Sequence, residues 1–199
     1  MADKTIYLVR HALPDFPSGE TLCLGRRLDL PLGSEGRAQA AQLACDLSAL
    51  AVEAVYASPL LRAQQTAAPI AGAARPLITL PSLIELDGGE WDGLPFSEIR
   101  RRWPDFRGSC PPGGESDEHG LARMQSVLAE IDARTQRCAV IVAHGGVNRL
   151  LLCALAGKPL SEKKQFAQDY AAVGIIEKVG DVFRTVSAGR APQKKRHAD

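Results

Sequence analysis

Three short apolar runs, each ending on a charged or polar side chain, limit what this chain can fold into. Thr5-Ile6-Tyr7-Leu8-Val9 leads into Arg10-His11. Val52-Glu53-Ala54-Val55-Tyr56-Ala57 leads into Ser58-Pro59-Leu60-Leu61-Arg62, and Ala139-Val140-Ile141-Val142-Ala143 leads into His144-Gly145-Gly146. Short runs this rich in β-branched and aliphatic residues read as strands buried on both faces. Helical periodicity lies between them: Ala40, Leu43, Ala44 and Leu47 share one face, as do Leu121, Met124, Val127, Leu128 and Ile131. Strands alternating with helices predict an α/β fold, a three-layer α/β/α sandwich on a mostly parallel sheet with an antiparallel strand near its edge. In such sheets ligands bind beyond the carboxyl ends of the strands. There the three runs deliver two guanidinium groups and two imidazoles, so the expectation is an anion site containing a histidine.

The remaining elements follow in order. Residues 12–32 are punctuated by Pro and Gly and form a long loop, a length more often functional than idle. Ser34 caps a helix reaching about Leu50. Ser58-Pro59 reads as N-cap and first helical residue, which places Arg62 at the end of the first turn, near the positive end of the helix dipole. That helix runs to about Ala73, bent or shortened by Pro69. A strand over 77–80, an acidic glycine-rich loop over 83–93, a helix over 95–102 and a long helix from Ser116 to about Arg134 come next. A helix over 147–156 and two strands over 169–187, joined at Gly180-Asp181, complete the fold. Residues 1–188 read as one domain, and 189–199, with Lys194-Lys195-Arg196, as a basic disordered tail.

The 199 residues carry a formal net charge of +1, so neither nucleic acid nor a membrane is expected as partner. The N-terminus enters a strand with no basic-then-apolar leader, and the five cysteines are scattered without metal-ligand spacing. A cytoplasmic location, free thiols and no metal are expected.

Phosphoryl transfer needs a nucleophile, donors for the non-bridging oxygens, and an acid for the leaving oxygen. Arg10 and Arg62 supply planar forks matched to phosphate. His11 and His144 are two imidazoles, and Gly145 lets a backbone N–H come close. A neutral imidazole can attack phosphorus and form a phosphohistidine, with no cofactor required. Arg26 is a further candidate phosphate ligand, the alternative being that Arg26 and Arg27 are a surface pair. For the acid, Glu85, Asp87, Glu90 and Asp92 share one loop, and their chemistry alone does not choose among them.

The motifs Leu8-Val9-Arg10-His11, Ser58-Pro59-Leu60-Leu61-Arg62-Ala63-Gln64-Gln65-Thr66-Ala67, Leu83-Ile84-Glu85, Gly89-Glu90-Trp91-Asp92-Gly93 and Val142-Ala143-His144-Gly145-Gly146, in this order, resemble the histidine phosphatase superfamily, in its phosphoglycerate-mutase-like branch. The resemblance spans about residues 5–157. It implies that His11 is phosphorylated, that Arg10, Arg62 and His144 form the phosphate pocket, and that Glu85 is the proton donor. The acid loop is similar to that of α-ribazole-phosphatase-like and broad-specificity members. Where the family usually has Gly, then Glu and a later Asn or Ser, this chain has Ala12-Leu13-Pro14-Asp15, a departure that bears on substrate.

The expected activity is therefore that of a metal-independent phosphomonoesterase acting on a small phosphorylated metabolite. A phosphoglycerate mutase is the alternative. Mutases of this family carry Tyr and Lys just after the acid, whereas no Tyr or Lys occurs between residues 57 and 157 here, and the acidic loop is expected to repel a substrate carboxylate. A catalytically weak binding module on the same fold is a third reading.

Overall fold

The computed structural model describes residues 2–17, 19–106 and 110–189. The three apolar runs form β1 (Lys4–Arg10), β2 (Ala54–Ala57) and β4 (Cys138–Ala143), joined by β3 (Leu77–Thr79), β5 (Val173–Val179) and β6 (Val182–Ser187). The sheet order is β3-β2-β4-β1-β5-β6. The pairs β1–β4, β2–β4 and β2–β3 are parallel, while β5 pairs antiparallel with both β1 and β6. One reversed strand near the edge is what the sequence predicted. β1 and β4 sit side by side in the middle, so Arg10-His11 and His144 leave the sheet at the same end.

Side-chain alternation along these strands divides the core into two layers. Ile6, Leu8, Tyr56, Ala139 and Ile141 face α4 (Asp117–Arg134) and α5 (Gly145–Leu155), packing on Met124, Val127, Leu128, Ile131, Leu151 and Leu152. Val9, Val55, Ala57, Val140 and Val142 face α1 (Ser34–Asp46) and α2 (Leu61–Ala71), packing on Leu43, Leu47, Ala63, Ala67 and Ile70. This is the expected three-layer sandwich. A fifth helix, α3 (Phe96–Arg102), lies outside these layers, and no helix among the described residues is long and apolar enough to cross a membrane.

Several local expectations are corrected. Strand β2 begins at Ala54, and Glu53 instead accepts the N–H groups of Gln136, Arg137 and Cys138. Gly33, not Ser34, is the N-cap of α1, which ends at Asp46. The cap of α2 is Leu60, so Arg62 is the second helical residue and Ser58 lies outside the helix. Pro69 is accommodated inside α2, which stops at Ala71. Residues 160–166 form a 3-10 segment that periodicity did not indicate. Ser116 does cap α4, accepting the N–H of His119. The basic tail from 190 lies outside the described residues.

The long loop 12–33 is pinned at both ends. Pro14 bridges Leu32, the Leu13 N–H donates to Gln39, and the Leu32 N–H donates to Gln65. Gly36 in the first turn of α1 makes this possible, because a Cβ there would sit 2.0 Å from the Leu13 carbonyl oxygen.

Candidate active site

The two imidazoles meet where the central strands end. His11 and His144 have ring centroids 5.1 Å apart at 58°, and both rings are buried. The His11 Nδ1–H donates to its neighbour's carbonyl, Ala12 O, at 2.9 Å. That bond fixes the tautomer and leaves Nε2 with its lone pair. Burial first, then the charges of Arg62 and Arg10, push the His11 pKa well below the ordinary 6.5. His144 is depressed likewise, by burial, then by His11 and the two arginines. Both rings are neutral at neutral pH, the form a nucleophilic imidazole requires.

The turn after His11 is fixed by α2. The Ala12 N–H donates to Thr66 Oγ1, which passes its own proton to the Arg62 carbonyl. Arg62 is wholly buried. Its Nη1 donates to Leu28 O at 3.0 Å and its Nη2 to Gly25 O at 2.8 Å. The loop 25–29 is itself held by Asp92, which accepts the Gly25 and Arg27 N–H groups, and by Asp29, which accepts the N–H of Leu61. Loop and helix thus orient the guanidinium together.

Arg10 is held from the other side. Its Nη1 donates to Gln168 O at 2.7 Å, and its guanidinium carbon lies 3.8 Å from the centre of the Tyr170 ring. Gln168 and Asn148 hydrogen-bond each other and the carbonyls of Leu8 and Val9, closing the end of β1. The turn that presents Tyr170 puts Ala171 at φ 59°, a left-handed conformation an L-residue adopts at a cost. Gly145 leaves room for Arg10, since a Cβ there would lie 3.1 Å from its Nε.

Glu85 reaches the N-terminus of α5. Its Oε1 accepts from Leu86 at 2.8 Å and Val147 at 3.0 Å, and its Oε2 accepts from Gly146 at 2.8 Å. A carboxylate offers about four lone-pair sites, so the remaining one is on Oε2. Gly146 is required here, because a Cβ would fall 2.4 Å from Oε1. Of the loop's other carboxylates, Asp87 is engaged with Arg27 and Asp92 with the 25–27 backbone, while Glu90 is exposed and is not among the residues lining the cavity described below.

Arg10, His11, Glu85 and Gly145 line a cavity of about 370 Å³, while Arg62 and His144 stand wholly buried behind it. Trp91, Phe96 and Phe106 give the cavity an apolar side. Arg26 is not among its lining residues; it is drawn to Glu115 at 2.6 Å and lies 3.8 Å from Asp87. The Cys23 thiol, which does line the cavity, is pushed up to about 12 by burial and then by Asp92 and Glu85, so it stays protonated.

Buried donors without a protein acceptor gather around His11. Among the described residues they include Arg10 Nε, Arg62 Nε and His144 Nδ1, from β1, α2 and the start of α5. Buried unsatisfied groups are rare and each calls for an explanation. An acceptor-rich ligand such as an oxyanion would satisfy all three.

Sequence reasoning missed three contributors. Gln168 and Tyr170 lie some 160 positions from Arg10, beyond the reach of any local pattern. Ser58 was read as a helix cap, but its Oγ lies 2.7 Å from His144 Nε2.

A model described as the histidine phosphatase superfamily (branch 1) matches residues 6–190. Phosphoserine phosphatase 1 of Hydrogenobacter thermophilus is 34% identical over 182 residues, covering 86% of this chain and 85% of that protein. A 2,3-bisphosphoglycerate-dependent phosphoglycerate mutase of Beijerinckia indica is 31% identical over 173 residues, 78% of this chain and 82% of that protein. The solved α-ribazole phosphatase from Shigella flexneri superposes with a TM-score of 0.80 over 95% of this chain and 99% of its own, at 23% identity. At that identity the likeness is one of fold.

Proposed function

The chain belongs to the histidine phosphatase superfamily, and on that premise we propose that it hydrolyses a small phosphomonoester through a phosphohistidine formed on His11 Nε2. The observation that carries this reading is the convergence of three orphaned N–H groups, from Arg10, Arg62 and His144, around a buried, neutral imidazole.

The proposed steps draw on the geometry described above. The phosphoryl oxygens take the N–H groups left over on Arg10 and Arg62 and the Nδ1–H of His144, satisfying donors that the fold leaves unpaired. His11 Nε2 attacks phosphorus, and the Ala12 carbonyl stabilises the cationic ring through Nδ1–H. A proton on the open site of Glu85 Oε2 passes to the departing alkoxide. The same carboxylate then deprotonates the water that attacks the phosphohistidine. The three backbone N–H groups hold Glu85 in place throughout.

Brief incubation with p-nitrophenyl phosphate, a denaturing quench and peptide mass spectrometry test this reading. An acid-labile phosphate on His11, absent in His11→Ala, is expected; phosphate on a serine or on Asp15 overturns the nucleophile assignment. The mutase reading keeps one supporting observation, the likeness to the Beijerinckia enzyme. Incubation with 3-phosphoglycerate and its bisphosphate separates the two, since a phosphatase releases inorganic phosphate and a mutase gives the isomer. An α-ribazole phosphate substrate has the resemblance of the acid loop and the shared fold in its favour, and assay with that ester tests it.

A further inference from the structure

The charge facing the cavity beyond the phosphate pocket is not the charge its loop composition suggests. Four carboxylates line it: Glu85, Asp87, Glu115 and Asp117. All four are already engaged. Glu85 is taken by backbone N–H groups, as described above. Asp87 accepts the Gly89 N–H at 2.9 Å and pairs with Arg27 at 3.2 Å. Glu115 lies 2.6 Å from Arg26 and 2.9 Å from Arg123, and Asp117 pairs with Lys163. Three of the four, Asp87, Glu115 and Asp117, are thus paired with cations of the fold. The expectation that the acidic residues here repel a substrate carboxylate is weakened at these three.

Two cations lining the cavity have no such partner. The side chains of Arg149 and Lys164 make no hydrogen bond or ion pair with any described residue, and Arg149 Nε is sealed from solvent with no acceptor. Arg149 stands on α5 one turn beyond Gly145-Gly146, which puts its Cα about 5–6 Å further along the axis. Side chains on a helix lean toward its N-terminus, so this guanidinium leans back toward the phosphate end. A buried N–H without an acceptor is costly until something supplies one.

We propose that the substrate of this site is a short phosphomonoester whose alcohol carries a carboxylate, and that Arg149, assisted by Lys164 at the mouth, binds that carboxylate. The proposal rests on the phosphatase reading above. One guanidinium edge matches the two oxygens of a carboxylate. A second phosphate group would call for further donors, and the neighbouring Arg26, Arg27, Arg123 and Lys163 are already paired.

A matched pair of inhibitors tests this. 3-Phosphoglycerate and glycerol 3-phosphate have the same length and differ in carrying a carboxylate or a hydroxymethyl group. Their apparent Ki values against p-nitrophenyl phosphate hydrolysis are measured on the full chain. The wild type is expected to prefer 3-phosphoglycerate by about 10-fold or more, as a charge-assisted pair would give. Arg149→Gln should bring the ratio near one, Arg149→Lys should keep part of it, and Lys164→Gln should reduce it by a smaller factor. Lys164 is exposed, so its variant gives a reading even if Arg149→Gln does not fold. Equal Ki values in the wild type, or a preference that survives Arg149→Gln and Lys164→Gln, overturn the proposal. Absence of any p-nitrophenyl phosphate hydrolysis would instead bring down the phosphatase reading, a different result from hydrolysis without preference.

Discussion

Ser58 Oγ lies 2.7 Å from His144 Nε2, and the same oxygen is 3.3 Å from the Leu60 N–H. In the proposed reaction the hydroxyl accepts from Leu60 and donates to Nε2, which puts the proton of His144 on Nδ1, the atom with no protein partner. On the proposed reading Ser58 acts on the phosphate through His144, as a positioning residue. Ser58→Ala should fold, because the side chain is small and the strand end is held by the Ser58 N–H to Val142 O. It should lower kcat by about 10-fold, the cost of one lost hydrogen bond to a buried group. The loss should fall on kcat rather than KM and change with pH, because the tautomer is no longer fixed; a uniform rise in KM would assign Ser58 a different role.

The sequence showed less of this residue than of its neighbours, for a physical reason. Ser-Pro before a helix has two outcomes: the serine caps the helix, or the chain makes one more turn and the serine points elsewhere. Local chemistry does not distinguish them, and the choice is made by His144, some 86 positions away. The strands, by contrast, were legible from composition, because a strand covered by helices on both faces has no polar positions to obscure it. Arg10, His11 and His144 were found because they end such strands. Tyr170 and Gln168 follow no apolar run and belong to a turn shaped by Ala171, so nothing local marked them. By its chemistry alone Glu85 stood level with Asp87, Glu90 and Asp92, until the fold tied Asp87 to Arg27 and Asp92 to the 25–27 backbone and left Glu90 exposed, off the cavity wall.

Glu85→Gln should lower kcat by roughly 10²–10⁴-fold, the usual contribution of a general acid–base. The amide keeps one oxygen for the N–H groups of α5 but carries no transferable proton. The defect should be largest for alkyl phosphates, whose alkoxide needs protonation, and smaller for p-nitrophenyl phosphate, whose leaving group departs as a stable anion. Side-by-side kinetics with glycerol 3-phosphate and p-nitrophenyl phosphate read this out. An equal loss on both would point to a structural role for Glu85 at the helix end.

Arg62→Lys keeps the charge and should still cost about 10² or more in kcat/KM. An ammonium cannot span the carbonyls of Leu28 and Gly25 and also present an N–H to phosphate. Near-normal kinetics in this variant would place Arg62 outside the phosphate pocket.

Stability should fall as the medium is acidified below the ordinary histidine pKa. His11 and His144 are held well below 6.5 in the folded chain by burial and nearby positive charge. The unfolded chain, with ordinary histidines, binds more protons below about pH 6.5, so protons favour unfolding there. The stability these neutral rings permit is fully present above that pH and is lost as pH falls toward the folded-state values. The limiting slope for two groups is about 2.7 kcal/mol per pH unit. The depressed carboxylates, Glu53, Asp87, Glu115 and Asp132, act in a lower window, below their ordinary values of 3.8 to 4.5. Urea titrations between pH 7.5 and 5 isolate the histidine effect, and His144→Gln should flatten the curve. A wild-type curve already flat over that range would mean that one or both rings are charged in the folded protein.

Gly36→Ala tests whether the loop after His11 is held by packing rather than by its own sequence. In an unconstrained helix, alanine would be the better residue by about 1 kcal/mol. Here the added Cβ would meet the Leu13 carbonyl oxygen at 2.0 Å and its carbon at 2.9 Å, contacts with backbone that no side-chain rotation relieves. Either α1 moves off the loop or Leu13 moves, and Leu13 is tied to Gln39 and, through its carbonyl, to the Gly33 N–H. The steric term should outweigh the propensity gain and leave a net loss of about 1–3 kcal/mol, or roughly 3 °C in Tm per kcal/mol. Because Ala12 and Leu13 directly follow His11, the proposed nucleophile, the variant should lose activity at temperatures where it is still folded. A Gly36→Ala protein as stable and as active as the parent would mean that the approach of α1 to this turn is looser than the geometry indicates.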